Sequence, residues 1–383
     1  MDEFAGGRPR LTAAIIVKNE AEHLAGCLAS IKPIVDEIVV VDTGSTDGSA
    51  AVAKGFGAEV LHHDWNGNFS DARNLGLDRA TGEWILYIDA DERIEAPTDK
   101  ATLSAVLDRA DASGVGALRL HFTLLEGCSH AYEWRLWRHD PSVRFEGIIH
   151  ESITPSLAAR LDATGTSHAD TDEIRLMHLG YEGDQTRKHE RNLPLLLAEA
   201  ERNPTRAYLW NHLGRIYEAL GRPDEARAMW ERGIEVVRQT DPSMRAPVDS
   251  LSYADVLVRA AEAGEDESAL LAEGLELFPM NWLIRWAAAL DALNKGDFES
   301  AVVRAQEVLD AQPDDIHRGG VTFPTRLFAD WPYHLIGMCR FEQGRFEEAA
   351  AAFEQAQRLS PETTEYGVKA RLARARASST VSL

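Results

Sequence analysis

The chain is poor in cysteine. Only three occur among 383 residues, Cys27, Cys128 and Cys339, and they lie far apart with no C-x-x-C or zinc-type spacing. A disulfide framework and a cysteine-based zinc site are therefore excluded. We interpret the three as free thiols of a reducing compartment that serve as small apolar side chains.

Long apolar runs are also lacking. The N-terminal segment MDEFAGGRPR is polar, no apolar signal core follows it, and no run of 18 apolar residues occurs. These absences predict a cytoplasmic protein with no transmembrane segment.

Basic residues are too few to balance the acidic ones. The 40 lysines and arginines face 62 acidic residues, giving a formal charge of −22. Such a charge repels a phosphate backbone, so we expect no nucleic-acid partner. An anionic ligand would need a local source of positive charge, such as a metal ion or a helix N-terminus.

The length predicts two domains, which we place at residues 1–182 and 183–383 with a linker near 180–186. In the first domain, short apolar runs at 11–17, 37–42, 58–63 and 84–89 predict buried strands. Amphipathic segments at 20–31, 45–56 and 70–80 predict helices between them. This alternation is typical of an α/β fold with a mainly parallel, Rossmann-like sheet.

Polar clusters follow three of these strands. They are Lys18-Asn19-Glu20, the segment DTGSTDG at 42–48, and Asp89-Ala90-Asp91-Glu92. Because ligand crevices of parallel sheets lie at the carboxyl ends of strands, we expect these clusters to converge. The segment 42–48 alone is also typical of a turn with a helix N-cap.

The run WILYIDADE (84–92) delivers several carboxylates to one strand end. Asp89 and Asp91 are separated by one residue, so they can share a hard cation such as Mg²⁺ or Mn²⁺ that also binds substrate phosphates. The alternative is that these acidic residues only cap the next helix.

Four segments together resemble family-2 glycosyltransferases with the GT-A fold. They are AIIVKNEAEHLAGCLASI, DEIVVVDTGSTDGS, NFSDARNLGLDRATGEWILYIDADE and FEGIIHE, and the resemblance covers residues 10–155. The last segments are most similar to the branch that includes bacterial bacteriocin peptide S-glycosyltransferases and some lipopolysaccharide-core enzymes.

The resemblance implies a nucleotide-diphosphate sugar donor, usually UDP-linked. It implies that Val17, Asn19 and Glu20 line the nucleoside pocket and that Asp42 contacts the base or ribose. These positions follow the first two predicted strands.

The resemblance also assigns the A-R-N and D-x-D segments. Arg73 and Asn74 would border the donor pocket. Asp91 would be the direct metal ligand, Asp89 would lie nearer the ribose or sugar, and Glu92 would support the loop.

The family's usual catalytic base is a carboxylate further along the chain, where this sequence has His150 and Glu151. His150 is a third metal ligand, a general base or a structural histidine. Glu151 is the base or a partner of His150. A thiol acceptor, with a pKa of about 8.5, would need only an imidazole base, whereas a hydroxyl favours a carboxylate.

Large side chains recur in HAYEWRLWRHD before this segment. Trp134 and Arg138 are candidates for a sugar or acceptor wall, because aromatic faces pack on sugars and arginine binds phosphate. The alternative is a strand whose large residues pack into the sheet.

The second domain is predicted to be an all-α tetratricopeptide array. Residues 208–236 and 333–361 carry the repeat pattern, a looser copy includes Ala301, Val308 and Pro313, and 248–279 is a degenerate copy. Small residues at Gly214 and Gly337 would let paired helices approach closely. The concave face of such an array suits an extended peptide, and the alternative is a scaffold or homodimer surface.

These observations predict a metal-dependent glycosyltransferase that moves a sugar to a cysteine or serine of a ribosomal peptide held by the repeats. The resemblance implies that the donor is a UDP-sugar and that the transfer is inverting. Transfer to a cell-envelope saccharide or lipid-linked acceptor is the first alternative. A non-catalytic repeat adaptor is the second, and the intact D-A-D element argues against it.

Overall fold

The chain forms two compact units. The computed structural model describes residues 9–95, 98–123, 127–179, 186–317 and 321–380. The first unit comprises the chain up to residue 126 and residues 130–201, and the second comprises 127–129 and the chain from 202 onward. The linker expected near 180–186 falls largely outside the described residues. The helix that follows it groups with the first unit, which differs from the boundary expected at 182/183.

The first unit is built on one eight-stranded sheet. Its strands are β1 (Leu11–Val17), β2 (Glu37–Asp42), β3 (Glu59–His62), β4 (Trp84–Tyr87), β5 (Glu92–Ile94), β6 (Val115–Thr123), β7 (Ala131–Arg138) and β8 (Ser167–His178). Their order across the sheet is β3-β2-β1-β4-β7-β6-β8-β5. The neighbours β3, β2, β1 and β4 are all parallel, and β6 and β8 are parallel as well. Strand β7 runs antiparallel to β4 and β6, and β5 to β8. The mainly parallel sheet predicted for the first domain is therefore confirmed.

Six helices accompany this sheet. They are α1 (Ala21–Ile31), α2 (Ser49–Gly55), α3 (Phe69–Arg79), α4 (Lys100–Ala112), α5 (Thr154–Thr164) and α6 (Thr186–Arg202). Helix α1 buries Leu24, Cys27, Leu28 and Ile31 on one stripe against the apolar residues of β1 and β2. Helix α3 begins at the cap Asn68, whose side chain accepts a hydrogen bond from Ser70 N. The parallel strands thus end at one edge of the sheet with their polar loops together.

The second unit consists of helices and short 3-10 turns. Its helices are α7 (Ala207–Ala219), α8 (Pro223–Gln239), α9 (Leu251–Ala263), α10 (Ser268–Leu277), α11 (Trp282–Asn294), α12 (Phe298–Leu309), α13 (Pro313–His317), α14 (Asp330–Glu342), α15 (Phe346–Leu359) and α16 (Thr364–Thr380). The predicted repeats correspond to the pairs α7/α8 and α14/α15. The looser and degenerate copies correspond to α11/α12 and α9/α10. Among the helices of the described ranges, none has the length and apolar character to cross a bilayer.

Glycines let the paired helices of the second unit touch. A Cβ atom on Gly337 of α14 would lie 2.6 Å from two ring carbons of Phe353 on α15, and one on Gly214 would lie 2.2 Å from the indole nitrogen of Trp230. Phe353 and Trp230 are both buried. Close approach of the helix backbones, predicted from the small residues, is therefore confirmed.

This packing makes Gly337→Ala destabilising. The added methyl group meets an aromatic ring in a filled core, so the free energy of unfolding should fall by about 1–3 kcal/mol. Gly55→Ala is the matched control, because a Cβ atom there has no other atom within 4 Å. It should leave stability unchanged or raise it slightly. Urea unfolding followed by circular dichroism measures both, and equal effects of the two changes would contradict the packing account.

Candidate active site

A cavity of about 730 Å³ opens where β1 and β4 end. Its walls include seven of the residues predicted from the sequence, namely Val17, Glu20, Arg73, Asp89, Asp91, His150 and Glu151. The polar loops after β1 and β4 therefore meet at the carboxyl ends of parallel strands, where open α/β sheets bind ligands.

The ring of Tyr87, the last residue of β4, contacts two buried arginines. The guanidinium carbons of Arg73 and Arg135 are each 4.4 Å from the ring centroid. Arg73 comes from α3 and is 8% exposed, while Arg135 comes from β7 and is 3% exposed. Contact with the ring face stabilises each cation, but two buried positive charges also require nearby carboxylates.

Asp89 is the first of these carboxylates. Its Oδ1 accepts a hydrogen bond from Arg73 Nη1 at 2.9 Å, and its Oδ2 accepts one from the Tyr87 hydroxyl at 3.0 Å. Burial alone would raise the pKa of Asp89, but the positive charges of Arg73 and Arg135 outweigh it and hold that pKa below its usual value. Both oxygens of Asp89 are thus committed to the protein.

Glu92 neutralises the second arginine. Arg135 Nη2 donates to Glu92 at 2.7 Å and to Glu133 at 3.0 Å, and the backbone N–H of Asp89 donates to the other oxygen of Glu92. Burial raises the pKa of Glu92 to about 7, opposed by Arg135 and assisted by the charge of Asp89. Glu92 therefore supports the loop through Arg135, as the resemblance implied.

Asp91 points to a partner that the sequence did not suggest. Its Oδ2 lies 3.3 Å from Nε2 of His178, the last residue of β8. Burial acts to raise the pKa of Asp91, but the hydrogen bond and charge of His178 lower it overall. Burial raises the pKa of Glu20, and the negative charge of the nearby Asp91 raises it further.

This donor set fits a divalent cation. A carboxylate oxygen and an imidazole nitrogen together suit Mn²⁺ somewhat better than Mg²⁺, and substrate phosphates commonly complete such sites. The repulsion between Glu20 and Asp91 would also be relieved by a cation. Asp91 and His178 are the candidate ligands, whereas Asp89 has both oxygens engaged by Arg73 and Tyr87.

His150 and Glu151 also line the cavity. His150 has a φ of +49°, in the left-handed region that non-glycine residues rarely occupy. Glu151 is held by a hydrogen bond from Arg73 Nε, and its side chain is 10% exposed. Arg73 therefore fixes Glu151 next to His150, whose backbone conformation is rare for a non-glycine residue. Such backbone conformations are often found at functional sites.

Three other predicted donor-site residues hold the loops together and do not line this cavity. Asn19 Oδ1 accepts from Thr46 N at 2.7 Å, and Asp42 Oδ1 accepts from Ser45 N at 2.7 Å. Asn74 pairs with both the N–H and the carbonyl of Phe145. Their contacts favour the turn-forming alternative for the segment 42–48.

The structure does not bring Trp134 and Arg138 to the cavity. Trp134 packs against the cluster on the sheet that includes Ile85 and Trp137. Arg138 is 45% exposed, and its guanidinium pairs with Asp111 and lies 5.0 Å from the Trp84 ring centroid. These contacts correspond to the alternative of large strand residues packed on the sheet, because neighbouring positions of β7 face different sides.

Several cavity residues were missed in the sequence. Lys188 and Arg191 of α6 line it, as do Arg135 and His178. His178 could have been found from its position at a strand end. Lys188 and Arg191 carried a weaker signal, a spacing of three that places two cations on one face of a helix.

Comparisons with known proteins agree on the two parts of the chain. The model of glycosyl transferase family 2 matches residues 12–148, and tetratricopeptide repeat models match residues 207–236 and 332–363. A TPR repeat-containing protein of Synechococcus elongatus is 35% identical over 244 residues, which is 62% of this chain and 59% of that protein. The SPbeta prophage-derived glycosyltransferase SunS of Bacillus subtilis is 33% identical over 147 residues, 37% of this chain and 34% of SunS. The chain thus spans less than two thirds of either relative.

Solved structures are similar only at a distance. TarS residues 1–349 from S. aureus, in complex with UDP-GlcNAc, has 14% identity and a TM-score of 0.40, covering 78% of this chain and 91% of that one. Glucosyl-3-phosphoglycerate synthase from Mycobacterium tuberculosis, in complex with Mn²⁺, UDP-glucose and phosphoglyceric acid, has 15% identity and a TM-score of 0.38, covering 51% and 79%. At these TM-scores neither structure informs the substrates of this chain.

The buried charges around Tyr87 make Arg135→Met strongly destabilising. The change leaves Glu92 buried without its counter-charge, which should cost about 3 kcal/mol of unfolding free energy. Adding Glu92→Gln removes the orphaned charge and should recover at least about 1 kcal/mol. Chemical denaturation of the two variants and the unmodified chain measures this coupling.

Arg138→Met is the matched control for this experiment, since it removes an arginine from the same strand at a position that is 45% exposed. It should cost less than about 1 kcal/mol. Equal losses for Arg135→Met and Arg138→Met, or a double variant no more stable than the sum of its changes, would contradict the charge pairing.

Proposed function

We propose that this chain, a glycosyl transferase family 2 domain followed by tetratricopeptide repeats, transfers a sugar from a UDP-sugar to a peptide side chain. One observation carries the proposal: the Asp91–His178 pair, the cations Lys188 and Arg191, and His150 all line a single cavity. A chain of net charge −22 repels a diphosphate ligand. These residues, with a bound cation, would supply the local positive charge that such a ligand requires.

Donor binding is assigned to one side of the cavity. Asp91 and His178 would hold Mg²⁺ or Mn²⁺, and the bound ion would neutralise the charge that develops on the departing diphosphate. Lys188 and Arg191 contact other phosphate oxygens, and Val17 and Glu20 border the nucleoside. Asp89 stays fixed by Arg73 and Tyr87 beside the sugar.

Proton removal from the acceptor is assigned to His150. Glu151 is already paired with Arg73, so the imidazole is the better-placed base in this cavity. A cysteine thiol, with a pKa of about 8.5, is acidic enough for an imidazole to deprotonate near neutral pH. Attack of the resulting sulfur on the anomeric carbon, with departure of the diphosphate from the opposite face, inverts that carbon.

A peptide acceptor is supported by the second unit. Tetratricopeptide repeats suit extended peptides, and the similarity to SunS covers the transferase part. The second unit also has a cavity of about 570 Å³ whose walls include Arg245, Phe278, Met280 and Phe323. We assign capture of a ribosomal peptide, through apolar side chains, to this unit. The scarcity of cysteine supports a cytoplasmic location.

The metal role is tested with Asp91→Asn and His178→Gln. Each should lower Mn²⁺-dependent hydrolysis of a UDP-sugar at least about 100-fold, because each removes a proposed ligand of the ion that stabilises the leaving group. Asp64→Asn is the charge-matched control, since that side chain is 99% exposed. Released UDP is the readout. Unchanged hydrolysis by Asp91→Asn would refute the metal assignment.

The acceptor is tested by mass spectrometry. Purified protein, Mn²⁺, a panel of UDP-sugars and the short peptides encoded beside its gene should give a gain of one glycosyl unit on a cysteine or serine. His150→Ala should slow this transfer at least about tenfold. Donor hydrolysis without peptide modification would reject the peptide acceptor in favour of a saccharide or lipid-linked one, and no turnover at all would favour an adaptor.

A further inference from the structure

Two histidines and an aspartate meet on the first unit at a place apart from the cavity. His121 lies near the end of β6, His130 directly precedes β7, and Asp172 belongs to β8. A potential ligand atom of each lies within 4.8 Å of the other two. The two imidazole rings are stacked with centroids 3.8 Å apart, and His121 Nδ1 lies 3.1 Å from Asp172 Oδ1.

An irregularity in the sheet directs Asp172 to this place. Leu120 of β6 pairs with Thr171 of β8, but the next residue, His121, pairs with Arg175. Residues 172–174 therefore bulge out of the ladder opposite His121. Bulges of this kind redirect a side chain at the expense of regular pairing, and they are common at functional sites.

The surroundings of Asp172 differ from those of the neighbouring acid on the same strand. Asp170 is held by both nitrogens of the Arg119 guanidinium, as a structural carboxylate commonly is. Asp172 instead accepts hydrogen bonds from His121 and, at 2.8 Å, from the Tyr132 hydroxyl. Its side chain is 57% exposed whereas that of His121 is 12% exposed, so the cluster is anchored in the protein and open to solvent.

We propose that His121, His130 and Asp172 bind a zinc ion. Two imidazole nitrogens beside one carboxylate oxygen suit Zn²⁺, whereas Mg²⁺ prefers oxygen ligands alone. At Zn–ligand distances of about 2.0–2.1 Å, tetrahedral ligand atoms lie roughly 3.3 Å apart, close to the separation between His121 and Asp172. Binding requires the His130 ring to turn out of its stack on His121, so that the ion lies in the plane of both rings. Tyr132 donates to the same oxygen of Asp172 and orients the carboxylate, and water would take the fourth position.

The zinc ion ties together three neighbouring strands. Strand β7 carries Arg135 and β8 ends at His178, so an ion that links these strands to β6 stabilises the sheet that supports the cavity. The proposal stands on the cluster itself and does not rest on the proposed function.

The test uses the full chain with the other candidate cation site removed. Metal-free Asp91→Asn/His178→Gln protein is titrated with Zn²⁺ alone by isothermal calorimetry, and about one tight site per chain is expected. Adding His130→Gln should weaken that site at least tenfold, and Asp172→Asn should do the same. His168→Gln, an exposed histidine on β8, is the control and should leave binding unchanged.

A spectroscopic readout separates a built site from loose surface binding. Co²⁺ in place of Zn²⁺ should give the visible absorption of a tetrahedral site with nitrogen ligands, displaced by Zn²⁺ but not by excess Mg²⁺. Absence of stoichiometric binding, or binding that His130→Gln and Asp172→Asn leave intact, would overturn the proposal and leave the three side chains as a hydrogen-bonded network. Circular dichroism of each variant excludes unfolding as the cause of lost binding, and Asp172→Asn, at an exposed position, is the variant least dependent on folding.

Discussion

Two buried arginine side chains that contact the Tyr87 ring set the charge balance at this side of the cavity. Arg73 and Arg135 reach the ring from a helix and from an antiparallel strand, each 4.4 Å from its centroid. Buried cations are tolerated only with carboxylates in hydrogen-bond contact. The acidic residues that follow β4 meet this requirement, which explains why a buried strand delivers several carboxylates to one point.

The same requirement divides those acidic residues into two roles. Asp89 pairs with Arg73 and Glu92 pairs with Arg135. Asp91 instead contacts His178. The D-x-D element therefore combines a structural carboxylate with one that can serve a ligand. Glu151 is also held by Arg73, and the proposed function assigns the chemistry to Asp91, His178 and His150.

Much of the parallel half of the sheet could be predicted because its signals are local. Strands β1 and β2 begin and end where their apolar runs do, and α1 follows its apolar stripe. The antiparallel half could not be predicted in the same way, because β7 alternates between two differently packed faces. Because of that ambiguity, Trp134 and Arg138 were predicted as wall residues. Arg135, which lies between them in sequence, lines the cavity.

The cavity residues that the sequence predicted lie in motif segments. Asp89 and Asp91 follow the end of β4, and Arg73 belongs to the A-R-N segment of α3. His178 and Lys188 reach the cavity because segments far apart in sequence meet there, and strand-end position and helical spacing are only weak signals of that. Asn19, Asp42 and Asn74 show a second ambiguity, since polar residues near a site also build its turns through backbone hydrogen bonds.

The most direct measurement of the central claim is anomalous diffraction from crystals grown with Mn²⁺ and UDP. The account predicts a manganese peak bonded to Asp91 and His178, with the diphosphate of UDP between that ion and Lys188 and Arg191. A manganese ion bonded to Asp89 in place of Arg73, or UDP bound outside this cavity, would contradict it.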